Sequence, residues 1–175
     1  MKAYNFALIK LFLLNETFKM ETNLMEIKSF FKLKTKSFIE GREDGYLLEE
    51  SCSNIIENIL ERKKLNKDKF FDFSSLFNIS ELDRDNEKQK AVFIKTVYIL
   101  VHPNVDFLEQ KFQFLNDDSN WYDLDIETIY ESYKTNVYID PRNERQISKV
   151  EFNEIVLPYF VPSDLLISKL EEIYE

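Results

Sequence analysis

Only two glycines, Gly41 and Gly45, occur among 175 residues, where average usage of about 7% would supply about 12. Glycine reaches left-handed backbone angles freely and lets the backbone approach a ligand closely. Its scarcity leaves little means of building phosphate-cradling loops or tight hairpin turns. Helices suffer no such loss, because glycine destabilises their interiors by about 1 kcal/mol. The two glycines stand four apart in Glu40-Gly41-Arg42-Glu43-Asp44-Gly45. That spacing matches neither a P-loop nor a dinucleotide fingerprint, and it reads as a turn between helices.

Apolar residues recur at helical intervals along much of the chain. Leu48, Cys52, Ile55, Ile56, Ile59 and Leu60 form one face of a helix over 47–60. Ile27, Phe30, Phe31 and Leu33 indicate another over about 21–38. Ile126, Ile129, Tyr130 and Tyr133 share a face over 125–133. Val92–Val101 is rich in β-branched residues, yet its apolar run is long, and with Asp85 as N-cap it reads as a buried helix. Pro103 suits the first position of a helix carrying Phe107, Leu108, Lys111, Phe112 and Leu115. Ser148 with Glu151 fits a capping box ahead of Phe152, Ile155 and Val156, and Pro158 should end or kink that helix. Ser163 caps a last helix bearing Leu166, Leu170 and Ile173. Val137–Ile139, before Asp140-Pro141, reads as a short strand. The expected fold is mainly α: a single-domain irregular helical bundle over 1–175, with one short β element near 137–140. An alternative makes residues 1–23 a peripheral extension, with Met20 and Met25 as alternative starts. The expected core includes Leu48, Ile55, Ile59, Val97, Phe112, Ile129, Ile155 and Leu170.

The apolar stretch Phe6–Leu14 is interrupted by Lys10 and followed by Glu16, Lys19 and Glu21 rather than by a small-residue cleavage site. It is too short to span a bilayer and reads as a first helix packed on the core. A single cysteine cannot form an internal disulfide, so the expected location is cytoplasmic.

One histidine and one cysteine leave little room for nucleophile or metal chemistry. His102 precedes Pro103 at a helix boundary with no assignable orienting partner, and Cys52 falls on an apolar helix face, where a thiolate is disfavoured. Asp123-Leu124-Asp125-Ile126-Glu127 alternates acids but lacks the glycine of a calcium loop, with Lys134 where its closing glutamate belongs. The Glu-x-Lys fragments Glu26–Lys28 and Glu109–Lys111 lie in expected helices rather than on the strand a nuclease would need. No cofactor and no metal are therefore expected. Lys28, Lys32, Lys34 and Lys36 alternate with Phe30, Phe31 and Phe38. Such a run can track a nucleic-acid backbone, but it reads better as a helix with phenylalanines inward and lysines solvated.

Charge is the strongest functional feature. Residues 1–100 hold 17 basic and 16 acidic side chains, whereas 101–175 hold 6 and 16. Asp106–Glu131 contains eight acids against the single base Lys111. Such a field repels nucleic acid and draws in basic proteins. The expectation is a non-enzymatic inhibitor of the immunity type that binds and neutralises a basic protein, a nuclease toxin being the class that fits, with no direct contact to nucleic acid or membrane. Asp117, Asp118, Asp123, Asp125, Glu127 and Glu131 would supply the charges, with Trp121 and Tyr122 as aromatic anchors. Two alternatives remain open: a helical adaptor whose charge merely solubilises it, and an enzyme with an unrecognised carboxylate site. Trp121 also has an alternative place, as a core residue at a helix start.

Overall fold

In a computed structural model, residues 22–61 and 69–174 are described; the apolar stretch 6–14 and Met20 lie outside them. The chain is mainly α-helical with short β elements. In order, it forms α1 (22–39), α2 (Gly45–Leu60), α3 (Phe73–Ser80), α4 (Glu87–Val101), β1 (Leu108–Leu115), β2 (Trp121–Leu124), α5 (Ile126–Thr135), β3 (Tyr138–Ile139), β4 (Gln146–Ile147), α6 (Lys149–Ile155), β5 (Val156–Pro162) and α7 (Asp164–Tyr174). β2, β1 and β5 make an antiparallel sheet in that order, and β3 and β4 a separate pair.

The helices follow the apolar spacing. Leu48, Ile55, Ile56 and Ile59 of α2 are fully buried and join Phe31 of α1, Leu76 of α3, Leu100 of α4 and Leu166 of α7 in the main core. Val92–Val101 is helical despite its β-branched residues, because burial on a continuous core outweighs a weak intrinsic preference. Asn86, rather than Asp85, caps α4, accepting from the N–H groups of Lys88 and Gln89. The neighbouring Asp85 instead donates its N–H to Asp83 Oδ1 at 2.9 Å, closing the preceding turn. The Ser148–Glu151 capping box forms in both directions, Glu151 N–H to Ser148 Oγ at 3.2 Å and Ser148 N–H to Glu151 Oε2 at 2.8 Å. Ser148→Ala should cost about 1 kcal/mol, read as a lowered urea midpoint.

Further expectations need correction. The helix expected after Pro103 is strand β1: Phe112 and Leu115 lie in a ladder with β2 and β5, not on a helix face, and Glu109–Lys111, set aside as helical, lies on this strand. Pro158 does not kink α6, which ends at Ile155; it lies inside β5 opposite Phe112. Phe160 exchanges both backbone bonds with Phe71 on the outer side of β5, at 2.7 and 2.8 Å. Pro158 and Pro162, two residues either way, therefore also turn their ring nitrogens outward, where β1 needs no donor. Finally, glycine scarcity does not prevent a hairpin. The β1–β2 turn puts Ser119 at φ 63°, and Glu81, Asp106, Asn136 and Glu144 take the other positive-φ positions outside glycine.

One face of the sheet is buried in two places. At its inner end Leu108 and Phe160 enter the main core. At its outer end Val156 joins Ile129, Tyr138 and Phe152 in a second, smaller core beneath α5 and α6. Phe112 and Ile155, expected in the core, sit half-buried at the margin of this second one. Leu48, Ile55, Ile59, Val97, Ile129 and Leu170 are buried as expected.

Candidate functional site

The acidic segment runs along the free side of the sheet and onto α5. Asp117 and Asp118 occupy the β1–β2 turn, Trp121, Tyr122 and Asp123 lie on β2, Asp125 caps α5, and Glu127 and Glu131 follow on that helix. All eight side chains are exposed. Trp121 is no core residue at a helix start: it stands on an edge strand, 49% exposed.

The strand geometry separates the two aromatic anchors. Side chains alternate across a strand, and directly paired residues share a face. Tyr122 pairs with Phe114 on the inner face, where the rings stack at 5.8 Å. Trp121 pairs with Leu115 on the outer face, beside Asp123 opposite Gln113 and Leu157 opposite Gln113 on β5. Tyr159 of β5 lies on that same outer face and donates its hydroxyl to Asp123 Oδ1 at 2.7 Å; Phe70 meets the Tyr159 ring edge-on at 6.2 Å. Trp121, Leu115, Leu157, Tyr159 and Phe70 thus line one open sheet face around Asp123. Sequence reasoning missed all of these but Trp121 and Asp123. The available signal was the period-two spacing of Phe112 and Phe114 around Gln113.

The carboxylates differ in how far they are engaged. Asp118 accepts the Asn120 N–H at 3.0 Å and the Tyr122 hydroxyl at 2.7 Å, and these bonds, the backbone one first, hold its pKa below the usual range. Partial burial, then the hydrogen bond to Asp123, pushes Tyr159 up to about 12. Asp125 accepts the Glu127 N–H at 3.0 Å and so serves the helix as well as the surface. Glu131 pairs with Lys134 at 2.9 Å.

Among the described residues, three lysines of α1 are engaged away from this surface. Lys28 and Lys32 both grip Glu57 at 2.6 Å, and Lys34 donates to the Asn104 carbonyl at 2.8 Å. Hydrogen bonds from Lys28 first, then Lys32, hold the Glu57 pKa at about 2. Phe31 is fully buried, with Phe30 and Phe38 packed against the core. The basic run is a solvated helix side locked to α2, as the helical reading requires.

Where β2 ends, a cleft of about 730 Å³ opens beside β1, with Asp106, Glu109, Asp123 and Asp125 on its walls and Lys111 among them. Asp106 and Glu109 belong to the acidic segment but were not among the residues expected to meet a partner.

The displaced carboxylate pKa values reflect local structure. Asp44, Glu57, Asp72, Asp118, Asp140 and Glu151 are all held below the usual carboxylate range by caps, turns and ion pairs. A general acid at neutral pH needs the opposite shift. His102 ends α4, its Nδ1 accepting the Asn104 N–H at 3.1 Å and its ring resting 4.6 Å from Phe38. Burial pushes the Cys52 thiol up to about 12, which keeps it protonated and inert. Among the described residues, no group of three or more His, Cys, Asp or Glu side chains is placed to hold a metal, and no helix is long and apolar enough to cross a membrane.

Compared with protein-family models, curated proteins and solved structures, the chain matches none.

Proposed function

We propose that the protein is a non-enzymatic binding protein that docks its β1–β2 turn, β2 and α5 on a basic protein and blocks it, in the manner of an immunity-type inhibitor of a nuclease toxin. One observation carries the reading. The carboxylates from Asp117 to Glu131 stand exposed together, while Lys28, Lys32 and Lys34 of α1 are committed to Glu57 and Asn104 elsewhere. A nuclease keeps a cationic cleft for phosphate, and a carboxylate surface with aromatic anchors can occupy such a cleft by the same electrostatics. Trp121 and Tyr122, on opposite faces of an edge strand, would grip two walls of it rather than one. The runner-up is an adaptor, favoured by the apolar groove of about 470 Å³ that Phe73, Phe77, Phe93 and Ile94 line on the far helices.

The test is a pull-down from the native host, followed by association rates against ionic strength. Wild type should associate more slowly as salt rises, since exposed charges act through a Debye length of about 10 Å at 0.1 M. Asp117→Lys/Asp118→Lys should slow association at low salt by about tenfold or more, with a smaller change in dissociation. Capture of a partner with an acidic surface, or a rate indifferent to both salt and charge reversal, would refute the reading.

A further inference from the structure

The sheet is incomplete at one place. β1 pairs with β5 along its length, from Leu108 opposite Pro162 to Phe114 opposite Val156. Its ladder with β2 covers only Phe112–Leu115, because the chain leaves the sheet at Leu124 to begin α5. Residues Leu108–Lys111 therefore have a strand on one side and, among the described residues, none on the other. The outward bonds of Phe160 to Phe71 fix which groups face the gap. Residues 157, 159 and 161 must turn inward to 113, 111 and 109 of β1, so Leu108 and Gln110 turn their N–H and C=O groups the other way. That direction is the cleft with carboxylates on its walls.

We propose that this open edge of β1 receives an extended, lysine- or arginine-bearing segment of the protein partner, which adds to the sheet as a strand in line with β2. The inference rests on the basic-partner reading and specifies how the partner is held. Leu108 is fully buried, so the main-chain bonds open to such a strand are those of Gln110, and these would set its register. Charge selects the occupant. Asp106, Glu109, Asp123 and Asp125 against Lys111 alone favour a cationic segment. They disfavour a second copy of this chain, whose edge would bring the same acids, and carboxylates at sheet edges act against such pairing. The alternation of faces sets the pattern within the segment. A residue opposite Glu109 lies on the outer face and takes lysine or arginine. A residue opposite Gln110 lies on the inner face, between Leu108 and Phe112, and takes a small apolar side chain.

The experiment uses the full-length protein and a capped seven-residue peptide alternating lysine with valine, alongside the same peptide N-methylated at every residue. Both carry equal charge, but only the first can donate to a strand edge. Affinity is measured by titration calorimetry, and amide hydrogen exchange at Gln110 by NMR. The unmodified peptide should bind at least tenfold more tightly than its N-methylated form and slow exchange at that amide at least tenfold. Asp106→Asn/Glu109→Gln should weaken it about fivefold, whereas Asp117→Asn/Asp118→Asn, at the far turn, should change it less than twofold. Asparagine suits the positive φ of Asp106, so the cleft variant should fold. Equal binding of the two peptides, lost in Asp117→Lys/Asp118→Lys, would overturn the added strand and leave the basic-partner reading standing. The inference is also overturned if neither peptide binds. It fails equally if the Gln110 amide is already slow in the free protein, because another part of the chain or a second copy fills the edge. A failure of the basic-partner reading shows separately, in the salt dependence of association with the captured protein.

Discussion

Truncating Phe160 to alanine is expected to cost about 3–5 kcal/mol, a large part of the 5–15 kcal/mol typical of a folded domain. The ring is fully buried, packed edge-on against Phe73 at 5.1 Å, and its backbone is tied to Phe71 by two hydrogen bonds. It is also the residue through which β5 enters the main core, while Val156 of the same strand enters the second. The cavity would therefore open at the junction of sheet and helices, where rigid elements on both sides limit collapse. Urea denaturation should show the midpoint falling with little change in slope. Tyr159→Phe, one residue away on the opposite face, removes only the hydroxyl to Asp123 and should cost about 1 kcal/mol. Equal losses for the two variants would contradict the face assignment of β5.

The second large effect is acid lability centred on Glu57 and Asp140. Both carboxylates have pKa values of about 2: Glu57 through Lys28 and Lys32, Asp140 chiefly through the hydrogen bonds of Arg142. Each binds its proton more weakly folded than unfolded. The stability they confer is complete above the unfolded values, 4.5 and 3.8, and is lost as pH falls through about 2. Asp140 is nearly buried, with its side chain 6% exposed and clasped by the Arg142 guanidinium at 2.8 and 2.9 Å, so its share is about 2 kcal/mol. Glu57 is a third exposed and contributes less than its shift alone would suggest. Urea midpoints measured from pH 6 to pH 2 should fall mostly below pH 4.5. Asp140→Asn should lower the plateau and flatten the fall. A fall centred near pH 6 would place the linkage elsewhere.

The helices were legible because their evidence is local. Leu48, Ile55 and Ile59 repeat within one turn or two, and Ser148 with Glu151 announces a helix start within four residues. The sheet was not, because its evidence is distant. Leu108, Phe112 and Leu115 fit a helix face, while Leu108, Phe112 and Phe114 fit a strand face equally well. Pairing with Val156–Pro162, nearly fifty residues on, decides between them, and no window around Pro103 contains it. Glycine scarcity misleads for a related reason: it concerns one residue type, whereas Ser119, Asp106 and Asn136 can occupy the left-handed region at modest cost. At the candidate site, the exposed acids of 117–131 could be read from composition and order. Tyr159, Leu157 and Phe70 could not, since they reach the same face only through β5.

The two cores also differ in how firmly they hold what lies above them. Ile129, Tyr138, Phe152 and Val156 are the buried side chains of the smaller one, with half-buried residues such as Phe112 and Ile155 at its margin, so α5, α6 and the β3–β4 pair should open together at a lower free energy than α2 and α4. Amides there would exchange through sub-global opening, those of the main helices only through full unfolding. A partner bound across β2 and α5 would close that opening by mass action. Protection would then spread to α6 and β4, segments the partner never touches.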